Sequence, residues 1–401
     1  MSVTAAPGFA AAGVAAGIKA SGAADLALVA TADHRPVTAA GVFTTNLVAA
    51  APVRLCRRHL AAEARAAAVV LNSGNANAAT GEPGLLVAEG TAALAAEALG
   101  CDRRHVLVCS TGLIGIPMDL APFTTGVPAA AAALAATPEG GRSAAEAIMT
   151  TDTVPKEAVS TFEAGGATVT VGGMAKGAAM LSPAMATMLT VITTDALVES
   201  QTLQRALTRA VDASFNLMTT DGSRSTNDTV LVLAGGAAGN APIAAGTAEA
   251  HALADALTAV CASLSDQMAH DAEGATKFVR LTVKGARSDA EALRAARAVA
   301  ESQLVKCSLF GGDPYWGRVL SELGASGAFL DPDRVDIAYN GFTVCIGGVA
   351  APGGFDADAL AKSMQQKEIE VVADLRGGNG EATVTTVDLT PGYIDENMRT
   401  S

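Results

Sequence analysis

The sequence predicts an α/β fold in which sheets and helices are layered, with a smaller α/β domain at the C-terminal end. Short apolar, β-branched runs that end in polar loops predict strands, and stretches with helical periodicity fall between them. Strands and helices mix without the strict βαβ rhythm of a doubly wound sheet. The pair Asn340-Gly341 is a strong turn signal between two such runs, and it predicts a hairpin over Val335–Ile346.

The predicted elements follow one another along the chain, and we expect the smaller domain to start near residue 285. The helix beyond that point has Asp289 and Glu291 at its start, where the helix dipole favours carboxylates. The predicted strands are Ala68–Leu71, Val106–Cys109, Thr168–Val171, Met188–Thr193, Val230–Leu233, Phe278–Val283, Val335–Ala338, Phe342–Ile346, Ile369–Ala373 and Ala382–Val387. The predicted helices are Val87–Leu99, Leu203–Phe215, Ala248–Met268, Ala290–Ser302 and Ala357–Gln365.

The bulk composition limits the class of protein. A chain of 401 residues is long enough for about two domains. Half of the residues are apolar but only 3% are aromatic, so we expect a large core that packs through small side chains and close backbones. The net charge of −13 repels phosphate backbones, and this argues against nucleic-acid binding.

Cysteine usage and apolar stretches indicate a cytoplasmic protein without a membrane partner. Residues 1–17 lack the basic start of a signal peptide. The uncharged stretches Leu120–Pro138 and Gly177–Thr194 contain prolines and threonines, whereas a membrane span needs about 20 strongly apolar residues. No cysteine forms a CxxC pair or lies near a histidine at zinc spacing, so we expect reduced, mostly buried thiols at Cys56, Cys101, Cys109, Cys261, Cys307 and Cys345.

The segment with the most chemical information is a glycine-rich loop that leads through Pro183 into Ala186-Thr187 and a buried-looking strand. The Thr187 hydroxyl can attack the carbonyl of Ala186, which converts the peptide to an ester that water hydrolyses. The α-amine that cleavage frees can then take the proton of the hydroxyl, because such amines in unstructured peptides have a pKa of about 7.7. One residue therefore supplies both the nucleophile and the base. A strand that simply enters the core produces the same pattern, and the chemistry alone leaves both interpretations open.

The segment from Lys176 to Leu189 closely resembles the self-processing site of the bifunctional ornithine acetyltransferases, which are also described as glutamate N-acetyltransferases. Ordered matches at the family's spacing continue along nearly the whole chain, too many for coincidence. They are Gly13–Ala20, Gly41–Thr44, Leu71–Gly81, Ser110–Gly115, Ala147–Lys156, Asp221–Val230, Asp271–Lys277, Phe310–Val319 and Asp388–Asn397.

The resemblance implies an αββα-like fold of the ornithine acetyltransferase/DmpA type and a ping-pong acyl transfer in arginine biosynthesis. Thr187 would take acetyl from N2-acetyl-L-ornithine, release L-ornithine, and pass the acetyl group to L-glutamate. Autoproteolysis at Ala186-Thr187 would give an alpha fragment, 1–186, and a beta fragment, 187–401. The family assembles two copies of each fragment, as α2β2, and its chemistry requires neither a metal nor an organic cofactor.

The resemblance also assigns an oxyanion site. Thr111 and Gly112 match the family's pair, in which a threonine side chain and a backbone N–H stabilise the tetrahedral intermediate. Without the family, Ser110-Thr111-Gly112 is an ordinary turn after a strand.

Five further positions match the family's substrate contacts. Lys176 matches a substrate-binding lysine, and Thr150 matches a further contact. Glu273 matches the glutamate that faces the ornithine ammonium. Asn397 and Ser401 match a C-terminal tail that reaches back into the site. Without the family, Glu273 is a solvated helix end and Thr150 a polar strand end.

The sequence departs from the family at several places. Ala179 replaces the usual glycine of the loop, which would slow processing if that glycine uses a positive φ. Tyr315 stands where the family usually has asparagine. The segment after the predicted oxyanion pair, residues 115–118, is about two residues shorter than the same segment in the family. The tail after Asn397 lacks the usual aromatic residue and is one residue shorter, which weakens the match at Ser401.

Three alternatives remain beside the acetylornithine-to-glutamate reaction. Acetyl-CoA could serve as an additional donor, although no phosphate loop or basic cluster for CoA stands out. A related self-cleaving aminopeptidase or amidase would let water intercept the acyl-enzyme. A binding protein without chemistry would remain a single uncleaved chain.

Overall fold

The computed structural model describes residues 2–179, 188–353 and 355–398. The strands are β1 Phe9–Val14, β2 Leu26–Thr31, β3 Val37–Phe43, β4 Arg65–Ala66, β5 Ala68–Asn72, β6 Val106–Ser110, β7 Lys156–Ala164, β8 Ala167–Lys176, β9 Leu189–Thr194, β10 Met218–Thr219, β11 Thr229–Ala234, β12 Phe278–Ala286, β13 Asp336–Tyr339, β14 Phe342–Ile346, β15 Val349–Ala350, β16 Glu368–Asp374 and β17 Gly380–Val387. Every strand predicted from the sequence overlaps one of these.

The helices alternate irregularly with the strands, as the sequence predicts. They are α1 Ala51–Ala62, α2 Gly81–Leu99, α3 Ala121–Ala132, α4 Pro138–Ala147, α5 Ser200–Asp212, α6 Ala248–His270, α7 Asp289–Glu301, α8 Gln303–Phe310, α9 Trp316–Ala325, α10 Ala357–Ser363 and α11 Pro391–Asn397. The five predicted helices are confirmed. None of the helices in the described part of the chain combines the length and apolar character needed to cross a bilayer.

The described residues form two units. The first unit runs to Asn216 and includes Ser223–Met268, and the second consists of Leu217–Gly222 and the residues from Ala269 onward. The position near residue 285 where we expected a smaller domain to start lies inside the second unit, at the end of β12.

Two sheets form the first unit. One has the strand order β1-β2-β5-β6, and the other has the order β4-β3-β11-β9-β8-β7. Successive side chains along a strand point to opposite faces of its sheet. The two faces of the four-stranded sheet therefore contribute to two different hydrophobic cores. Val69 and Leu71 pack with Met174, Leu189 and other residues of the second sheet.

Residues of the opposite parity in the four-stranded sheet, such as Ala68 and Val70, pack against α1, α2 and α3. On the outer face of the six-stranded sheet, α5 contacts β3, and Val260 of α6 lies against Gly173. The order of layers is therefore helices, sheet, sheet, helices, which confirms the αββα-like expectation. The alanine-rich inner face of α2 allows the close helix packing that the composition indicates.

The second unit is built on one sheet with the strand order β10-β17-β12-β16-β13-β14-β15. Its core includes Val279, Leu281 and Val283 of β12, packed with α7, α8 and α9. The predicted hairpin is confirmed: Asn340 and Gly341 both have positive φ, 47° and 82°, between β13 and β14. The cysteines of the whole chain are free thiols, and four of the six are buried.

Candidate active site

The candidate site in the first unit lies where β8 ends and β9 begins. The two strands are antiparallel neighbours, and Lys176 at the end of β8 pairs with Leu189 at the start of β9. The predicted cleavage site, Ala186 and Thr187, lies outside the described residues. Leu189 is two positions after Thr187 in the sequence, so the register joins the strand that follows the predicted nucleophile to the predicted substrate-binding lysine.

Lys176 and Thr150, both predicted substrate contacts, lie next to each other. Lys176 Nζ donates a hydrogen bond of 2.7 Å to Thr150 Oγ1. Both residues are arranged by Asp152, whose Oδ2 accepts from the Thr150 backbone N–H at 3.0 Å and lies 3.7 Å from Lys176 Nζ. Asp152 therefore links the loop after α4 to the end of β8.

A second buried lysine contacts the same carboxylate. Asp152 Oδ1 accepts from Lys156 Nζ at 2.5 Å and from the Gly177 backbone N–H at 2.8 Å. Burial by itself raises the pKa of the Asp152 carboxyl, but Lys176 and Lys156 outweigh it and hold that pKa well below its usual range. Asp152 is therefore an anion throughout the neutral pH range.

The loop that carries Thr150 is also held from its other side. Lys19 Nζ donates to the carbonyls of Met149 at 2.7 Å and Ala24 at 3.0 Å. The carboxylate of Asp25 accepts three backbone N–H groups, from residues 16, 18 and 19, and so fixes the turn that presents Lys19. Burial lowers the pKa of Lys19, and Asp25 offsets part of that effect.

Thr111 and Gly112 form a tight turn directly after β6. The Thr111 backbone N–H donates to the Asn72 carbonyl at 3.0 Å, and only 1% of Thr111 is exposed. Gly112 has φ +133°, and a Cβ added to it would lie 2.3 Å from the carbonyl carbon of Gly74. A side chain is therefore excluded at Gly112, and the turn keeps its backbone close to the loop after β5.

Asn227 and Asp228, immediately before β11, connect this turn to the start of β9. Asn227 Nδ2 donates to the Ser110 carbonyl at 2.8 Å and to the Ala76 carbonyl at 2.6 Å. Asp228 Oδ1 accepts from the Met188 backbone N–H at 3.0 Å. The predicted oxyanion turn and the residue after the predicted nucleophile are thus held by two consecutive side chains.

Asp228 is fully buried. Burial raises its pKa well above the usual range, and the hydrogen bond from Met188, the nearby Ser225 and Thr44 hydroxyls and the positive charge of Lys176 offset only part of the effect. Its Oδ2 has no hydrogen-bond partner among the described residues. This carboxyl therefore retains its proton at pH values where an exposed aspartate has lost it.

The second unit brings Glu273 and Asn397 together. Asn397 Nδ2 donates to Glu273 Oε2 at 2.7 Å and to the Tyr393 carbonyl at 2.9 Å. Thr390 Oγ1, at the start of α11, donates to the Gly274 carbonyl at 2.6 Å. A Cβ on Gly274 would lie 2.3 Å from the Tyr393 nitrogen, so glycine is needed where this turn meets α11. The last predicted contact, Ser401, lies outside the described residues.

Two of the departures from the family pattern have a clear structural outcome. Ala179 is not among the described residues with positive φ, so it does not carry the strain that a side chain has at a positive-φ glycine position. Tyr315 precedes α9 and is 49% exposed, with the Arg318 guanidinium 5.4 Å from its ring centre.

Sequence reasoning missed four residues of this arrangement: Asp152, Lys156, Asn227 and Asp228. All four lie within blocks that resemble the family. Lys156, itself buried, begins the partly exposed strand β7, and Asp228, also buried, immediately precedes the edge of the buried strand β11. A charged residue at such an edge must be paired or neutralised, and this was the available signal. Within residues 2–179, 188–353 and 355–398, no cluster of three or more His, Cys, Asp or Glu side chains could hold a metal ion.

Comparison with known proteins decides the family. The sequence pattern of the family described as ArgJ matches residues 10–400. This chain belongs to the ArgJ family. The arginine biosynthesis bifunctional protein ArgJ of Symbiobacterium thermophilum is 52% identical over 396 residues, which are 98% of this chain and 97% of that protein. The protein of the same description from Streptomyces coelicolor is 47% identical over 397 residues, 99% of each chain.

A solved structure is also similar, the ornithine acetyltransferase of Mycobacterium tuberculosis complexed with ornithine. It is 43% identical, with a TM-score of 0.41, and the match covers 47% of this chain and 96% of that chain. Family membership and the two full-length relatives identify the protein as an acyltransferase of arginine biosynthesis.

Proposed function

We propose that the protein transfers acetyl from N2-acetyl-L-ornithine to L-glutamate through an acetyl ester on Thr187, which autoproteolysis between Ala186 and Thr187 exposes. The observation that supports this most directly is the fixed position of the chain that follows Thr187. Met188 is held by Asp228, and Leu189 pairs with Lys176. Acyl transfer requires a defined direction of attack, and the fixed, buried chain directly after Thr187 supports this.

Self-cleavage comes first in this scheme. The Thr187 oxygen bonds to the Ala186 carbonyl carbon, and the C–N bond breaks, so that the hydroxyl proton ends on the nitrogen and an ester replaces the amide. Water then hydrolyses the ester to a carboxyl group at Ala186 and a free hydroxyl and amine on Thr187. The amine serves as the base in the later transfer steps.

The transfer proceeds in two half-reactions with the same geometry. Thr187 attacks the acetyl carbonyl of acetylornithine and L-ornithine leaves as an amine; the amine of glutamate then attacks the acetyl ester. Each tetrahedral intermediate carries an oxyanion, for which we assign the Thr111 side chain and the Gly112 backbone N–H as donors. The support for this assignment is the buried turn that Asn72 and Asn227 hold in place.

The substrates carry groups that suit the remaining residues. We assign Lys176 and Thr150 to a substrate carboxylate, because an ammonium and a hydroxyl are hydrogen-bond donors. Glu273, held by Asn397, is assigned to the side-chain ammonium of ornithine. Ser401 completes the proposed set through the C-terminal tail.

Mass spectrometry of the purified protein, incubated with N2-acetyl-L-ornithine alone, tests this function. We expect two fragments, 1–186 and 187–401, with an acetyl group added to the second only. Thr187→Ala should give an uncleaved chain without acetyl, and Thr187→Ser should cleave and accept acetyl. A single full-length chain that makes no acetylglutamate from the two substrates would contradict the proposal. Light scattering of the same sample tests the proposed assembly of two copies of each fragment.

A further inference from the structure

Asp152 lies between two buried lysines in the first unit. The Asp152 and Lys156 side chains are 0% exposed, and Lys176 is 3% exposed. Removing such charges from water is unfavourable and has to be balanced by close partners. The three side chains therefore act as one electrostatic group, in which two ammonium groups accompany one carboxylate.

The two lysines share Asp152 unequally. Lys156 Nζ lies 2.5 Å from Oδ1, a short charge-assisted hydrogen bond. Lys176 Nζ lies 3.7 Å from Oδ2, beyond hydrogen-bond distance, and donates instead to Thr150 Oγ1 at 2.7 Å. The negative charge of Asp152 is thus taken up mainly by Lys156, and Lys176 is directed toward Thr150.

We propose that Lys156, which is not itself a substrate contact, sets the selectivity for carboxylate-bearing substrates by neutralising Asp152, so that Lys176 presents its positive charge to the substrate α-carboxylate. The inference rests on the proposed function, in which Lys176 binds a substrate carboxylate. Lys156 is therefore a positioning residue.

Removal of Lys156 has a specific electrostatic consequence. In Lys156→Met, Asp152 keeps its charge and its backbone donors, Thr150 and Gly177. Among the described residues, Lys176 is then the lysine that forms an ion pair with Asp152, at 3.7 Å, whereas Lys19 donates to backbone carbonyls and interacts with Asp152 only at longer range. Lys176 then forms the ion pair with Asp152, and the pair has no net charge. A substrate carboxylate loses its attraction to the site, whereas a neutral group in the same place loses little.

The test compares N2-acetyl-L-ornithine with its α-carboxamide, which differs only in replacing the carboxylate by a neutral group. In a ping-pong reaction kcat/KM for the donor reports the first half-reaction alone, so the ratio of the two kcat/KM values measures carboxylate selectivity. We expect Lys156→Met to lower this ratio about tenfold. Lys156→Arg should keep it within about threefold of the wild-type value, because the positive charge is retained.

The double variant Asp152→Asn/Lys156→Met separates charge balance from simple structural damage. It removes one charge of each sign, so Lys176 retains its positive charge and the ratio should return to within about threefold of wild type. Asp152→Asn alone should give a ratio at least as high as wild type. If Lys156→Met does not fold, the comparison of Asp152→Asn with the double variant remains. With no carboxylate left to neutralise, the loss of Lys156 should change the ratio by no more than about threefold, and a larger fall overturns the inference.

Lys306→Met is the matched control. Lys306 is a buried lysine of the second unit that donates to Thr386 and Val387, and its loss should leave the ratio unchanged. An unchanged ratio in Lys156→Met, or a double variant that stays as low as Lys156→Met, overturns this inference alone, provided that the wild type transfers acetyl. A wild-type protein without acetyl transfer overturns the proposed function and this inference together.

Discussion

The carboxyl of Asp228 accepts a hydrogen bond of 3.0 Å from the backbone N–H of Met188, the residue that follows the proposed nucleophile. Asp228 immediately precedes β11, and the Thr229 backbone N–H in turn donates to the Met188 carbonyl at 3.1 Å. Both backbone groups of Met188 are therefore fixed before β9 begins. This relationship leads to the first two predictions.

Asp228→Ala should slow self-cleavage at least about tenfold, because the Met188 N–H loses its buried acceptor and the start of β9 loses its fixed position. Asp228→Asn keeps an oxygen acceptor for the same N–H and should cleave within about threefold of wild type. Denaturing gels of freshly synthesised protein, sampled over time, measure both rates. Equal rates for Asp228→Ala and wild type would show that this hydrogen bond has no part in processing.

The raised pKa of Asp228 predicts the pH dependence of stability. Burial favours the protonated carboxyl in the folded state, while the unfolded chain releases this proton at about pH 4. The folded protein binds the extra proton between about pH 4 and the folded pKa, so Asp228 makes the free energy of unfolding decrease as the pH rises through that window. Urea unfolding should therefore show that Asp228→Asn gains stability relative to wild type as the pH rises above about 4. A constant difference would mean that Asp228 is ionised in the folded protein.

Some strands can be predicted from a short run of the sequence, whereas others depend on pairing with another part of the chain. The β-branched runs such as Val230–Leu233 identified strands because such side chains suit a pleated, buried surface. Strands β1 and β2 were not predicted, since Ala10, Ala11 and Ala27 carry no such preference, and the pairing of the two strands determines their conformation.

The candidate site was predicted only where the family pattern marks a residue. Lys176 and Thr150, two of the residues so marked, contact each other, but Asp152, which arranges both, could not be found from spacing. Its partners come from three separate segments, at Thr150, Lys156 and Gly177, and only tertiary folding brings these together. Asn227 was missed for the same reason, because its bonds to Ser110 and Ala76 connect distant parts of the chain.

Gly112→Ala should reduce both stability and catalysis. The φ of +133° is strained for alanine, and the added Cβ would lie 2.3 Å from the Gly74 backbone, so the turn must move and the proposed oxyanion donor moves with it. We expect kcat to fall by about 10²–10³, the usual effect of losing one such donor. Gly115→Ala is the matched control, since Gly115 has φ +81° but no atom within 4 Å of an added Cβ. Gly115→Ala should lower the stability of the protein but leave kcat nearly unchanged. Equal losses of kcat in Gly112→Ala and Gly115→Ala would contradict the assignment of Gly112 as an oxyanion donor.

Asn227→Asp should destabilise the first unit and impair the reaction. The new carboxylate would face the carbonyl oxygens of Ser110 and Ala76 instead of donating to them, at a cost of about 1–3 kcal/mol. Asn240 has the same arrangement elsewhere, since its Nδ2 donates to the carbonyls of Leu197 and Ala241. Thermal unfolding should show that both Asp variants are destabilised. Acetyl transfer should fall only in Asn227→Asp, and an equal fall in Asn240→Asp would indicate general damage.

Glu273→Gln should separate the two substrates. Asn397 Nδ2 holds Glu273 Oε2 at 2.7 Å, and the glutamine variant loses the negative charge that we assign to the ornithine ammonium. We expect kcat/KM for N2-acetyl-L-ornithine to fall about tenfold or more, because a hydrogen bond to a charged group contributes about 1.5–3 kcal/mol. The value for L-glutamate should not fall, since glutamate has no side-chain ammonium. Glu381→Gln, on the exposed part of β17, is the control and should change neither value. A parallel loss for both substrates in Glu273→Gln would instead assign Glu273 a purely structural role in supporting α11.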